Sequence, residues 1–163
     1  MRRAYLIGLL AIATGLAAIA GAQGKPDFSG VWKPVDSAST PLPPPQPGGP
    51  PPPPRTVSTT ITQSATELKV ERRLEMAGRE TVHTFIYKLD GTETVNQMGP
   101  LVFKTKAVWD GGALVLTSVI STGGEAFGEA RDVYRLENGD LVVETNRRTP
   151  TATFSEKGVN RKH

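Results

Sequence analysis

Residues Glu67 to Leu89 read ELKVERRLEMAGRETVHTFIYKL. Leu68, Val70, Leu74 and Met76 alternate with Glu67, Lys69, Glu71, Arg73 and Glu75. Side chains on a strand point to opposite faces with period two, so this arm has one dry face and one wet face. Gly78 interrupts the alternation and a second arm follows it. A two-residue turn at Gly78-Arg79 predicts the pairs Leu74–His83, Arg72–Phe85, Val70–Tyr87 and Leu68–Leu89. It gathers the apolar sets of both arms on one face. A three-residue turn would set Leu68 beside Lys88 and turn Phe85 and Tyr87 outward, which argues against it. Carried back across Ala65-Thr66, the same phase puts Val57 and Ile61 on the dry face.

The rest of the chain repeats this grammar. Asp27 to Lys33 reads as a first short strand, and Thr56 to Gln63 is rich in Thr, Val and Ile. Asp90-Gly91, Asp110-Gly111, Gly123-Gly124 and Asn138-Gly139 mark later turns, since such pairs supply the positive φ of tight hairpins. A turn at Asp110-Gly111 predicts Ala107 opposite Leu114, Thr105 opposite Leu116 and Leu101 opposite Ile120. Phe103 and Trp109 then face inward, Lys104 and Lys106 outward. Asn138-Gly139 predicts Leu136–Leu141, Tyr134–Val143 and Asp132–Thr145. These two hairpins share a dry face only through an odd loop or a bulge around Gly123 to Glu125, and an odd loop is the expectation. A plain two-residue turn would expel Tyr134. The Asp90-Gly91 hairpin shows no clearly dry face. No segment beyond the N-terminal region keeps helical spacing for three turns. The predicted fold is all-β: an antiparallel up-and-down meander of about 8–10 strands closed into a barrel, which removes sheet edges.

The first residues, MRR followed by an apolar run from Ala4 to Ala20 and then Ala20-Gly21-Ala22, read as a signal peptide cleaved after Ala22. The expectation is a periplasmic or secreted chain, with residues 23–163 as a single barrel domain and no membrane span left after cleavage. Losing Arg2 and Arg3 lowers the formal charge from +3 to +1, which leaves no basic field for a nucleic-acid partner. No cysteine is present, which excludes disulfides, thiolate metal sites and a cysteine nucleophile. Ten of the fourteen prolines fall between Pro41 and Pro54. Proline lacks the amide donor, so residues 41–55 are expected to form a disordered proline-rich loop outside the sheet.

Polar residues fall on the inward face: Arg72, His83, Tyr87, Asp132 and Tyr134. One reading pairs Arg72 with Asp132 and leaves the tyrosine hydroxyls bonded to neighbours. The other makes Arg72 the counter-charge for the carboxylate of an amphipathic guest lying against Phe85, Phe103, Trp109 and Leu116. His83 has no second histidine or Glu-x-x-His pattern beside it, so it reads as a hydrogen-bonded interior side chain. No nucleophile elbow, phosphate loop or metal-spaced acidic pair occurs. Glu93, Glu125, Glu129 and Glu144 are assigned to solvated faces or loops.

Gly30-Val31-Trp32, the long first loop and the series of hairpins resemble the lipocalin superfamily. YKLDG, KAVWDGGALVLTS and VYRLENGDLVVE look like small exported bacterial lipocalin-like domains. The resemblance implies that Trp32 sits at the closed end of the barrel, with Arg147 or Arg148 packed over its ring. It implies ligand binding without catalysis, cofactor or metal: a small apolar or amphipathic ligand, anionic if it meets Arg72. The alternative is a filled barrel acting as a protein-interaction or inhibitor module, supported by the proline tract and the basic C-terminal end.

Overall fold

The computed structural model describes residues 24–40, 55–76 and 78–163. The expected signal segment and the proline tract at 41–54 lie outside the described residues; Arg55, expected in the loop, opens a strand instead. Ten strands form one antiparallel sheet: β1 (Gly30–Pro34), β2 (Arg55–Gln63), β3 (Glu67–Met76), β4 (Arg79–Lys88), β5 (Thr94–Met98), β6 (Leu101–Asp110), β7 (Ala113–Thr122), β8 (Glu125–Glu137), β9 (Asp140–Arg148) and β10 (Thr153–Lys162). Neighbours in sequence pair throughout, except that β1 pairs with β10 and the sheet ends at β4 and β5. The sheet curls into a nearly closed up-and-down barrel whose seam lies between those two strands.

The faces expected from alternation hold, while two turns are centred differently. Met76 pairs with Arg79, Arg72 with His83, Val70 with Phe85 and Leu68 with Tyr87. The connection therefore holds Gly78, at φ +75°, and Arg79 is already in the strand. Likewise Asp110 pairs with Ala113, Ala107 with Leu116 and Thr105 with Ser118. Asp110 is thus the last ladder residue, and Gly111, at φ +58°, takes the first turn position. Both corrections shift the partners by two residues, which leaves every side chain on its expected face. At Asn138-Gly139 the expected register is found, with both turn residues at positive φ (53° and 87°).

The β7–β8 connection is a two-residue turn at Gly123-Gly124, not the odd loop expected. Parity is restored inside the strand instead. Ser121 pairs with Ala126 but Ile120 pairs with Gly128, so Phe127 is the extra residue of a β-bulge. Tyr134 consequently faces inward and is 1% exposed. A second register shift, between Thr56 and Ser58, makes Val57 the irregular residue of β2, while Ile61 is buried as expected.

The core lies at one end of the barrel. Phe28, Trp32, Ile61, Leu68, Val70, Tyr87, Leu89, Leu114, Leu116, Tyr134 and Leu141 are buried there. Phe28 precedes β1 and plugs this base, its ring stacked on Trp109 at 5.8 Å. Toward the opposite mouth the inward registers of β3 and β10 become exposed, with Leu74 half-buried, Met76 52% exposed and Phe154 58%, while Ile120 of β7 stays buried. Thr40 and Arg55, which flank the proline tract, belong to the mouth end. Lys104 and Lys106 face outward and are exposed, as expected.

Candidate functional site

Midway along the barrel axis, where the packed base gives way to the mouth, the expected polar residues meet. Arg72 on β3 sends its guanidinium across the interior, and Nη2 donates to the Tyr134 hydroxyl on β8 at 2.9 Å. These strands stand on opposite walls of the sheet order, so this hydrogen bond spans the lumen. The guanidinium also lies 5.6 Å from the centre of the Phe85 ring. Phe85 stacks parallel to Tyr87 at 6.4 Å and meets Phe103 edge-on at 5.9 Å. Five of the expected residues, from four strands, thus form one cluster.

The Arg72–Asp132 ion pair of the first of the two readings is not among the salt bridges of the described residues. The Asp132 carboxylate accepts a hydrogen bond from the Thr145 hydroxyl of β9, as the Asp132–Thr145 cross-strand register permits. Arg72 is therefore a largely enclosed cation whose direct partners are a neutral phenol and an aromatic face. Its pKa is raised, chiefly by the nearby Tyr134 with Tyr87 and Asp132 adding, so it remains charged. Burial pushes both tyrosine hydroxyls upward and keeps them protonated, and Arg72 pulls the other way.

The remaining expected residues are distributed around this cluster. His83 is the cross-strand partner of Arg72, half-buried, with Nε2 3.3 Å from the Thr81 hydroxyl. Leu116 is fully buried below. Trp109 lies at the base, taken up by Phe28 on its face and by the Lys25 ammonium 5.5 Å from its ring. Its indole N–H is buried and finds no acceptor among the described residues.

Trp32 occupies the base as expected, 1% exposed, with Nε1 donating to the Phe28 carbonyl at 2.8 Å. The cation over its ring is Lys162, at 5.5 Å, and not Arg147 or Arg148. β9 runs from Asp140 at the base to Arg148 at the mouth, so Arg147 is exposed at the far end, paired with Ala130 and Phe154. Lys162 is instead the cross-strand partner of Trp32. Its stem crosses Gly30, where a Cβ would stand 2.5 Å from Lys162 Cε. The glycine two residues before the tryptophan is the space this stem needs.

Sequence reasoning missed Asn96, which belongs to the hairpin it left undecided. Asn96 is buried at the seam, where its Oδ1 accepts from the Ile86 N–H at 2.7 Å and its Nδ2 donates to the Ile86 carbonyl at 2.9 Å. A side-chain amide carries the same donor and acceptor as a peptide, so it substitutes for one ladder pair between β4 and β5. Also missed was the buried hydroxyl pair of Thr105 and Ser118, 2.8 Å apart on the inner wall. Neither position carries a periodic signal, because each is a polar residue on a face identified by its apolar members.

Two surface depressions lie away from this cluster, one beside Gly24, Pro26, Gly112 and Leu136, the other beside Val119, Phe127, Gly128 and Arg148. No group of three or more potential metal ligands occurs among the described residues. No protein-family model matches the chain, and none of the curated proteins matches it.

Proposed function

We propose that this protein is an exported, non-catalytic barrel of lipocalin-like type that binds a small amphipathic anion. The apolar part would lie on the inner wall toward the mouth and the anionic group would meet Arg72. The observation that carries this reading is the Arg72 guanidinium, enclosed in the barrel without a carboxylate at ion-pair distance. A cation in such a place costs several kcal/mol unless a counter-charge arrives. The exposure of inward-facing Leu74, Met76 and Phe154 supports an interior that opens at one end. The N-terminal MRR and apolar run support export. Charged side chains at mid-strand on the outer wall, among them Lys69, Glu71, Arg73, Lys104 and Lys106, speak against a lipid-facing barrel.

The test compares a fluorescent long-chain fatty acid with the corresponding fatty alcohol. The acid is expected to bind about ten-fold or more tightly, the worth of one charge-assisted hydrogen bond. Arg72→Met is expected to abolish that preference while the barrel stays folded. Equal affinity of the wild-type protein for acid and alcohol would overturn the reading. Native mass spectrometry of protein taken from its own source supplies the ligand's mass.

A further inference from the structure

Asp132 carries the opposite charge to Arg72 in the same interior, and the two do not meet. Asp132 takes the inward position of β8 next to Tyr134 on the mouth side, since its partner Thr145 lies farther along β9 than Val143, the partner of Tyr134. Two residues of a strand advance about 6.6 Å, so its backbone stands one such step mouthward of the tyrosine that Arg72 reaches. Its charge is felt across the cluster, helping to hold Arg72 protonated and adding to the upward displacement of Tyr87 and Tyr134. Yet each charged group is met by a hydroxyl. Arg72 donates to Tyr134, and Asp132 accepts from Thr145 through Oδ1. Oδ2 takes part in no hydrogen bond among the described residues. Glu156 of β10, next in the same row beyond Thr145, is exposed. Opposite charges enclosed together join where geometry allows, because each is costly to bury alone. Whatever lies between these two must offer an acceptor to Arg72 and a donor to Asp132.

We infer, building on the anion-binding role of Arg72, that the ligand is a hydroxy acid, with a hydroxyl beside its carboxylate that donates to Asp132. A plain fatty acid gives Arg72 its counter-charge but brings a second carboxylate close to Asp132, and like charges repel at that range. A hydroxyl on the α or β carbon replaces this repulsion with a hydrogen bond to Oδ2, one strengthened by the charge of its acceptor. An ammonium would donate there as well, but a second cation would have to be stripped of water beside Arg72, so the neutral hydroxyl suits the gap. The two residues then divide the recognition: Arg72 selects acids over alcohols, and Asp132 selects among acids.

Displacement of a fluorescent fatty acid tests this with dodecanoic acid, its α-, β- and ω-hydroxy derivatives, and dodecanol. The better of the α- and β-hydroxy acids is expected to bind about ten-fold more tightly than dodecanoic acid, the worth of a hydrogen bond to a charged acceptor. The ω-hydroxy acid, whose hydroxyl is remote from the head group, is expected to gain nothing. Asp132→Ala is expected to abolish the preference and to bind dodecanoic acid about three-fold more tightly, because the repulsion is gone. A merely structural role for Asp132 would weaken every acid alike. Asp132→Asn, neutral and of the same shape, is expected to bind dodecanoic acid more tightly too, and it decides the matter if the alanine variant does not fold. Equal binding of the hydroxy and plain acids, with the plain acid still ahead of dodecanol, would overturn the inference and leave the role of Arg72 standing. Equal binding of dodecanoic acid and dodecanol would overturn both. A hydroxy-acid preference that survives in Asp132→Ala would remove Asp132 from the site.

Discussion

Lys162 and Trp32 are cross-strand partners at the base of the barrel, with the lysine ammonium 5.5 Å from the ring centre. Their contact ties the last strand to the first, 130 residues apart in the chain, and explains the glycine of Gly30-Val31-Trp32. Gly30 has a φ of +144° as well as the lysine stem above it. Gly30→Ala is expected to destabilise the barrel by about 1–3 kcal/mol, the cost of holding a side chain in such a backbone region. Lys162→Ala is expected to cost about 0.5–1 kcal/mol through the lost cation–π contact. In the double variant most of the Gly30→Ala cost should remain, because the flexible lysine can move aside and the backbone cannot. Denaturant melts of the three variants decide it; full relief in the double variant would assign the cost to the lysine alone.

Asn96 closes the seam with its side chain, so its loss is expected to be local before it is global. Asn96→Ala leaves the Ile86 N–H and C=O without partners and should cost about 1–3 kcal/mol. Asn96→Asp keeps the acceptor and loses the donor, and should also be destabilising. Hydrogen exchange gives the sharper reading: the Ile86 amide should exchange much faster in Asn96→Ala while the amides of β8 and β9 stay protected. An unchanged Ile86 amide would rule out the seam contact.

Deletion of one residue from the middle of a strand ordinarily turns everything beyond it to the wrong face. Phe127 is an exception, because it is the surplus residue of the β8 bulge. Removing it lets Ala126 and Gly128 follow one another opposite Ser121 and Ile120, with every other pair of β7 and β8 unchanged. The Phe127 deletion is expected to fold, with stability within about 2 kcal/mol of the wild type, an ordinary single-site effect. Deletion of Val119 from the facing strand is expected to abolish cooperative unfolding. Thermal melts by near-ultraviolet circular dichroism distinguish the two.

Tyr87 and Tyr134 govern the alkaline limit. Burial raises both pKa values above the ordinary value near 10, so above that pH the native state holds protons that the unfolded chain releases. Their stabilisation is complete below about pH 10 and is lost as pH rises toward the raised values. Absorbance at 295 nm should show neither phenol ionising while the barrel is intact, and both together as it unfolds. A reversible titration near pH 10 in the folded protein would mean that at least one hydroxyl is solvated. The third tyrosine, Tyr5, is kept out of this titration by expressing residues 23–163.

How far each feature could be read in advance follows from its physical basis. The inward positions of Leu68, Val70, Phe85, Leu116 and Tyr134 were legible because alternation repeats over many residues and survives a turn displaced by two. The turn centres at Gly78 and Gly111 were not, because a shift of two residues leaves the pattern of faces identical. Phe127 gave half a signal: the two hairpins demanded a change of parity between them, but a bulge and an odd loop satisfy that demand equally. Arg72, Phe85, Tyr87 and Tyr134 were placed on one face correctly. The partner of Arg72 was left open between Asp132 and a ligand carboxylate, and neither reading named the Tyr134 hydroxyl, because Asp132 and Tyr134 share that face and only the curvature of the wall decides which one the guanidinium reaches.

By itself the sequence determined an all-β meander, its inner and outer faces and the set of side chains that share an interior, since these depend on local period-two geometry and on turn chemistry. Tertiary structure alone decided that Lys162 rather than Arg147 covers Trp32, that Asn96 stands in for a ladder pair and that Arg72 spans the lumen to a phenol. Each of these depends on which residues come level when the sheet curls and its first and last strands meet, a distance in space that no stretch of neighbouring residues encodes.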